Sequence, residues 1–386
     1  MMDQQTPLPI QTSAGVPVVG DEITEADEAI FRQIISVGLT SGQISEIVSP
    51  PVSYPRQRHV LAVHWHPEYV PMELVIRRLG VMFPSLETSL IIPTQHNEIM
   101  CHCGYAGVEV DCYSKGFNQK VQLLLHFRQE KIVNAHILKN MLRHTYQYRS
   151  SQLLDFIHTL VTPNEHRLRL AARNTGAGSD IIAFVRAIVK KVGTLLDRHE
   201  TEIPGIMIRN KLLRNFFDRL RPVYGDTVID RAQAFLQAVK VIVKADFSLK
   251  HFYRASEIIE EARLHGAGIV VPHPEQYWPI LLADYDVDGY EVWNPQSRRY
   301  TEFLISVLDK KNRCAGPSAR RLMIFMGDDT HMGEKTLPAN ERNREKAERE
   351  VGYQPAWEDL NIHNALVAAG WNRQSVIREY ALRIGG

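Results

Sequence analysis

His64 and His66 stand two residues apart directly after an apolar run over residues 59–63. In an extended segment residues i and i+2 point the same way. Two imidazoles at the end of one strand therefore present their nitrogens side by side and can clamp one ion. Asp329 and His331 repeat that spacing behind the apolar run 321–325, with Gly327 suited to a tight turn beside them. Glu109 lies between Val108 and Val110, and Glu291 between Tyr290 and Val292. A lone carboxylate is costly to bury in such surroundings, and a cation relieves that cost. His126 follows Leu123, Leu124 and Leu125; His273 follows Ile269, Val270 and Val271; His96 stands shortly after the run 89–92. Any one of these is equally a hydrogen-bonded core or surface residue. Their recurrence at apolar run after apolar run is what points to a metal site, and imidazole with carboxylate suits zinc, manganese and iron alike.

Seven runs must position these residues: 59–63, 89–92, 107–110, 121–125, 268–271, 289–293 and 321–325. They are short and continuously apolar, as strands covered on both faces are. Polar, ligand-type residues at one end of each predict an α/β fold, a distorted (β/α)7 barrel whose strand ends open on one face that carries the chemistry. The spacing predicts crossover helices over 72–83 and 299–310, with little room for one between the second and third runs. The fourth and fifth runs are about 140 residues apart, far more than a crossover needs. Most of that stretch predicts helix, over 151–161, 180–196, 206–221, 227–243 and 249–265, as a helical insertion placed to cap the site.

The domain reading follows. Residues 1–55 form an N-terminal extension, helical over 22–47, with a Pro-, Gln- and Thr-rich mobile start over 1–20. Residues 56–135 and 266–335 form the barrel, 136–265 the insertion and 336–386 a C-terminal tail. That tail is charged over 340–350, then helical around Leu366, Val367 and Ile377.

Composition bounds the class. With 45 Lys and Arg against 44 Asp and Glu, the net charge of +1 gives no global attraction to nucleic acid or membrane. No run of 18 apolar residues predicts a membrane helix. The start lacks the basic, apolar, small-residue order of a secretory signal. Four cysteines do not make a disulfide framework, and a cytoplasmic location is the expectation. Cys101-His102-Cys103 with Cys112 lacks the second pair a zinc finger needs and reads as reduced thiols. The arginines and lysine of 206–222 read as a solvated helix face, and the glycine-rich 174–180 as a turn that caps a helix.

Taken in order, these residues resemble the motifs of the PHP (polymerase and histidinol phosphatase) family. The matching segments are His64-Trp65-His66, Thr94-Gln95-His96-Asn97, Gly107-Val108-Glu109, Leu125-His126, Pro272-His273-Pro274, Gly289-Tyr290-Glu291-Val292-Trp293-Asn294 and Gly327-Asp328-Asp329-Thr330-His331. They span residues 59–127 and 266–332 and leave out the extension, the insertion and the tail. The resemblance implies a cluster of two or three divalent ions, zinc, manganese or iron. It implies that His64, His66, Glu109 and Asp329 hold one ion, that Glu109 bridges to a second held by His126 and His273, and that His96 and His331 reach a third. Gln95 stands where the family motif has aspartate, and the acids after the first motif are Glu68 and Glu73.

The expected activity is hydrolysis of a phosphate ester. The ions make a bound water acidic enough to attack phosphorus, with Glu109, His273 and His331 in catalytic roles. Glu291 and Asn294 are expected to orient ligands or substrate. The expected substrate is a small phosphorylated molecule, a nucleotide or a nucleic-acid end. A metal-dependent amide or ester hydrolase and a non-catalytic regulatory module are the alternatives.

Overall fold

The computed structural model describes residues 15–316, 319–339 and 342–385. Residues 1–14 of the expected mobile start, and residues 340 and 341 of the charged tail, lie outside the described residues.

The chain divides into two compact units. One groups the residues up to Gly38 with Tyr148–Ser248. It is helical, with helices Glu25–Ile35, Glu165–Thr175, Ser179–Arg198, Lys211–Arg219 and Asp226–Asp246. Phe31, Phe184, Phe216, Phe217 and Phe235 fill its core. Thr24 and Asp27 close a capping box on the first helix, and Asp27 also accepts from the buried Lys191 at 2.8 Å.

The other unit groups Leu39–Gln147 with Leu249–Gly386 and contains every candidate residue. Its strands are β1 (His59–Ala62), β2 (Trp65–His66), β3 (Thr88–Ile91), β4 (Met100–His102), β5 (Tyr105–Ser114), β6 (Gln119–Arg128), β7 (Gly268–Val271), β8 (Gly289–Trp293), β9 (Met323–Met326) and β10 (Thr330–His331). A mixed sheet runs β4-β5-β6-β7-β8-β9, while β1 pairs with β3 and β2 with β10 in two small parallel sheets.

This corrects the barrel expectation: the described strands form an open six-stranded mixed sheet and two separate pairs, not a closed (β/α)7 barrel. The reason is chain length between strands. Parallel neighbours need a crossover of a dozen or more residues, yet only 115–118 separate β5 from β6, so these two pair antiparallel over ten residues each. β6 is also antiparallel to β7. Only β7, β8 and β9 run parallel within the large sheet. A continuously apolar run marks a strand covered on both faces but not the direction of its neighbour.

Both faces are indeed covered. All residues of β7, β8 and β9 are buried, and β5 is buried over Ala106–Cys112. Helices Ala255–Leu264, Thr301–Cys314, Leu360–Ala368 and Arg373–Arg383 supply partners such as Ile258, Leu304, Leu366 and Tyr380. Among the described residues, no helix is long and apolar enough to cross a membrane.

Candidate metal centre

β2 and β10 pair in parallel register, Trp65 against Thr330 and His66 against His331. The backbone N–H of Asp329 donates to the carbonyl of His64 at 2.9 Å. The two spaced pairs read from the sequence thus lie side by side in one ladder, and the His66 and His331 rings sit 4.4 Å apart. Glu109 arrives from the middle of β5, bridged through its backbone to His96. His273 follows β7 with φ 30°, and Asp329 has φ 47°. Left-handed backbone at a residue other than glycine costs on the order of 1–3 kcal/mol and gathers at functional sites. Here it turns both side chains into the same space.

The distances describe one cluster. Asp329 Oδ1 lies 3.6 Å from His64 Nε2, 3.6 Å from His66 Nε2 and 3.7 Å from His331 Nδ1. Glu109 Oε2 lies 2.7 Å from His96 Nδ1 and 3.4 Å from His66 Nε2, and Oε1 lies 3.6 Å from His273 Nε2. Three overlapping sets offer ligand atoms within 4.8 Å of one another: His66, His96 and His331; His64, His66 and Asp329; His64, Glu109 and His273. Ligands 2.0–2.2 Å from a shared ion sit roughly 3.0–3.5 Å from each other, close to this spacing.

The fit to divalent ions rests on atoms left over. His64 Nε2 and His66 Nε2 are buried and lack a hydrogen-bond partner, and both buried oxygens of Glu109 face imidazole nitrogens of the same cluster. Buried polar atoms are nearly always satisfied, so buried imidazole nitrogens facing one another and carboxylate oxygens are a donor set that fits a divalent cation. Their other ends are fixed. His64 Nδ1 lies 2.6 Å from Glu291 Oε1, and His66 Nδ1 donates to the Thr94 carbonyl at 3.1 Å. An Nδ1–H so engaged leaves Nε2 as the free lone pair, the tautomer a metal needs.

Glu291 contacts two of the candidate residues. Its second oxygen accepts the His273 backbone N–H at 3.0 Å. A Cβ on Gly327 would sit 1.9 Å from Glu291 Oε1, so only glycine lets that carboxylate reach His64. Asn294 instead accepts from Gln296 N and Ser297 N in its own turn.

Electrostatics follow the same plan. Burial works to raise the carboxyls of Glu109 and Asp329, but the surrounding imidazoles hold both well below the usual range. Burial works against a charge on His64, yet Glu291, Asp329 and Glu109 lift it to about 10. A proton there answers the negative charge that an ion would answer. Burial and the neighbouring His66 push His331 down to about 3.

Seven of the eight expected ligands are therefore brought together: His64, His66, His96, Glu109, His273, Asp329 and His331. His126 is not among them. Its Nε2 lies 2.8 Å from the Val63 carbonyl and its Nδ1 2.7 Å from the Tyr380 hydroxyl, so both ring nitrogens are engaged away from the cluster. Gln95 lies buried beside the cluster but enters none of the ligand sets. Cys101 and Cys103 are exposed and Cys112 is buried, and none of the three enters a set either.

The sequence reading missed Arg349, whose Nη1 lies 2.6 Å from Asp329 Oδ2. It also missed Tyr277, whose hydroxyl lies 3.4 Å from His273 Nδ1 and donates to the Pro272 carbonyl at 2.5 Å. Neither carries a motif. Arg349 lies in a charged stretch that reads as solvated surface.

No family model matches the chain, and no curated protein matches it. A solved chain from Bifidobacterium adolescentis, whose own assignment as a metal-dependent phosphoesterase is provisional, is similar at 17% identity with a TM-score of 0.39. The likeness covers 82% of this chain and 98% of that one. At that TM-score it carries no weight for either fold or reaction.

Proposed function

We propose that the chain is a metal-dependent hydrolase acting on phosphate esters, as its ordered motifs, shared with the PHP family, imply. The observation that carries this reading is the convergence of seven imidazoles and carboxylates, with the buried Nε2 atoms of His64 and His66 left without a hydrogen-bond partner among them. Two or three divalent ions, zinc, manganese or iron, suit this donor set. When bound, such ions supply a water acidic enough to attack at neutral pH and positive charge for phosphoryl oxygens.

The chain's own residues do the rest. Glu109 turns Oε2 toward His66 and His96 and Oε1 toward His273, which suits a bridging ligand. Glu291 fixes His64 and the turn at His273. The cluster is closed on one side by His64, His66, Glu109 and His273, whereas the side chains of His96, His331 and Asp329 are 30%, 16% and 14% exposed. Substrate approaches from that open side. His331 stands on that open side, while His273 faces the closed side beside Tyr277.

The substrate is a small phosphorylated molecule, a nucleotide or a nucleic-acid end. A cytoplasmic location belongs to the same reading, since all four cysteines are free. The test is a phosphate-release assay on a generic phosphomonoester and phosphodiester, with protein purified without chelators. Glu109→Gln and Asp329→Asn should lose both bound metal and activity. Full activity in either variant would overturn the proposal.

A further inference from the structure

The Asp329 carboxylate is divided between two environments. Oδ1 faces three imidazole nitrogens at 3.6–3.7 Å. Oδ2 faces Arg349 Nη1 at 2.6 Å, and the same nitrogen donates to the Asp329 carbonyl at 3.1 Å. The Arg349 side chain is only 2% exposed. A guanidinium remains charged and only donates, so Oδ2 is held by a fixed positive donor whatever Oδ1 does. Glu109 is the opposite case, since both of its oxygens face imidazole nitrogens of the cluster and no guanidinium holds either.

The segment that carries Arg349 is fastened to this place. Lys335 Nζ donates to the Arg349 carbonyl at 2.7 Å. Gly352 N donates to Oδ2 of Asp328 at 2.9 Å, and Gln354 Nε2 to the Leu61 carbonyl at 2.7 Å. The two adjacent aspartates are thus each gripped by residues 349–354, a stretch outside the span of the family motifs.

We propose that Arg349 is a positioning residue that restricts Asp329 to one-oxygen ligation. An ion held by Asp329 would then take one oxygen from it rather than two, which would leave room for water or substrate. This rests on the metal-site reading above. A bidentate aspartate would occupy that position, and a freely rotating one would compete with Glu109 for the neighbouring ion.

The test is the visible absorption of the whole protein loaded with cobalt(II), whose band intensity falls as coordination number rises. In Arg349→Met no donor faces Oδ2, and in Arg349→Gln only an uncharged, shorter one does. The intensity per bound cobalt should fall by up to roughly a third to a half, the share of one ion in a cluster of two or three, with cobalt stoichiometry unchanged. Arg349→Lys, which keeps a charged donor near Oδ2, should return most of the band. A wild-type spectrum in Arg349→Gln or Arg349→Met at equal cobalt content would overturn the inference while leaving the metal site intact. If both fail to fold by circular dichroism, Arg349 is a structural residue and the inference falls. If the wild-type protein takes up no cobalt, the metal-site reading falls and takes this inference with it.

Discussion

Nδ1 of His64 lies 2.6 Å from Oε1 of Glu291, while the other oxygen of that carboxylate holds the backbone N–H of His273 at 3.0 Å. One side chain in β8 therefore sets the tautomer of one candidate ligand and the strained turn of another, without being a ligand itself. Residues that orient ligands in this way are worth roughly 10–100-fold in metal affinity. Glu291→Ala should weaken zinc binding by about that factor, measured by chelator competition, with far-ultraviolet dichroism unchanged. Wild-type affinity in that variant would show that the contact orients nothing.

Gly327→Ala should give a similar loss although it alters no ligand. The added methyl would meet Glu291 Oε1 at 1.9 Å and must push that carboxylate off His64. The same chelator competition decides it. Unchanged affinity would mean that the loop yields and Glu291 stays in place.

His126 predicts a pH dependence separate from the metal. Burial pushes its pKa from 6.5 down to about 3, and the Val63 carbonyl only partly opposes that. The folded state therefore favours the neutral ring. This contribution to stability is fully present above the unfolded pKa and is lost as pH falls from 6.5 toward 3, because the unfolded chain binds the extra proton. The slope for one proton is about 1.4 kcal/mol per pH unit. Chemical denaturation in chelator over this range should show a shallower slope in His126→Gln than in the wild type. Equal slopes would contradict the placement of His126 between Val63 and Tyr380.

Metal should stabilise the fold by mass action. With free zinc at 100 times its dissociation constant, unfolding should become about 2.7 kcal/mol harder. The thermal midpoint should rise with metal concentration in the wild type and respond little in Glu109→Gln. A midpoint indifferent to metal in both would mean that the cluster is not an ion site.

The strands and the candidate cluster were legible in the sequence for one reason: continuous apolar runs ending in His, Asp or Glu are rare without a cause. All seven runs are strands, and His64, His66, His96, Glu109, His273, Asp329 and His331 meet. What the runs do not encode is direction. The short link after Ser114 forces an antiparallel return, and that is where the barrel expectation failed. His126 misled because a histidine at the end of a buried strand looks the same whether it faces an ion or a tyrosine hydroxyl from the helix Arg373–Arg383. Helix Glu165–Thr175 was missed because its sequence is mostly polar and charged, with Leu168 and Ala171 its buried positions. Arg349 was missed because an arginine among charged neighbours carries no local sign of burial.

The most direct test of the central claim is the metal content of the purified protein by elemental analysis, for wild type and for Glu109→Gln combined with Asp329→Asn. Two or more divalent ions per chain in the wild type, and fewer than one in the double variant, is the predicted result. No bound metal in the wild type, even after zinc or manganese is added, would contradict it.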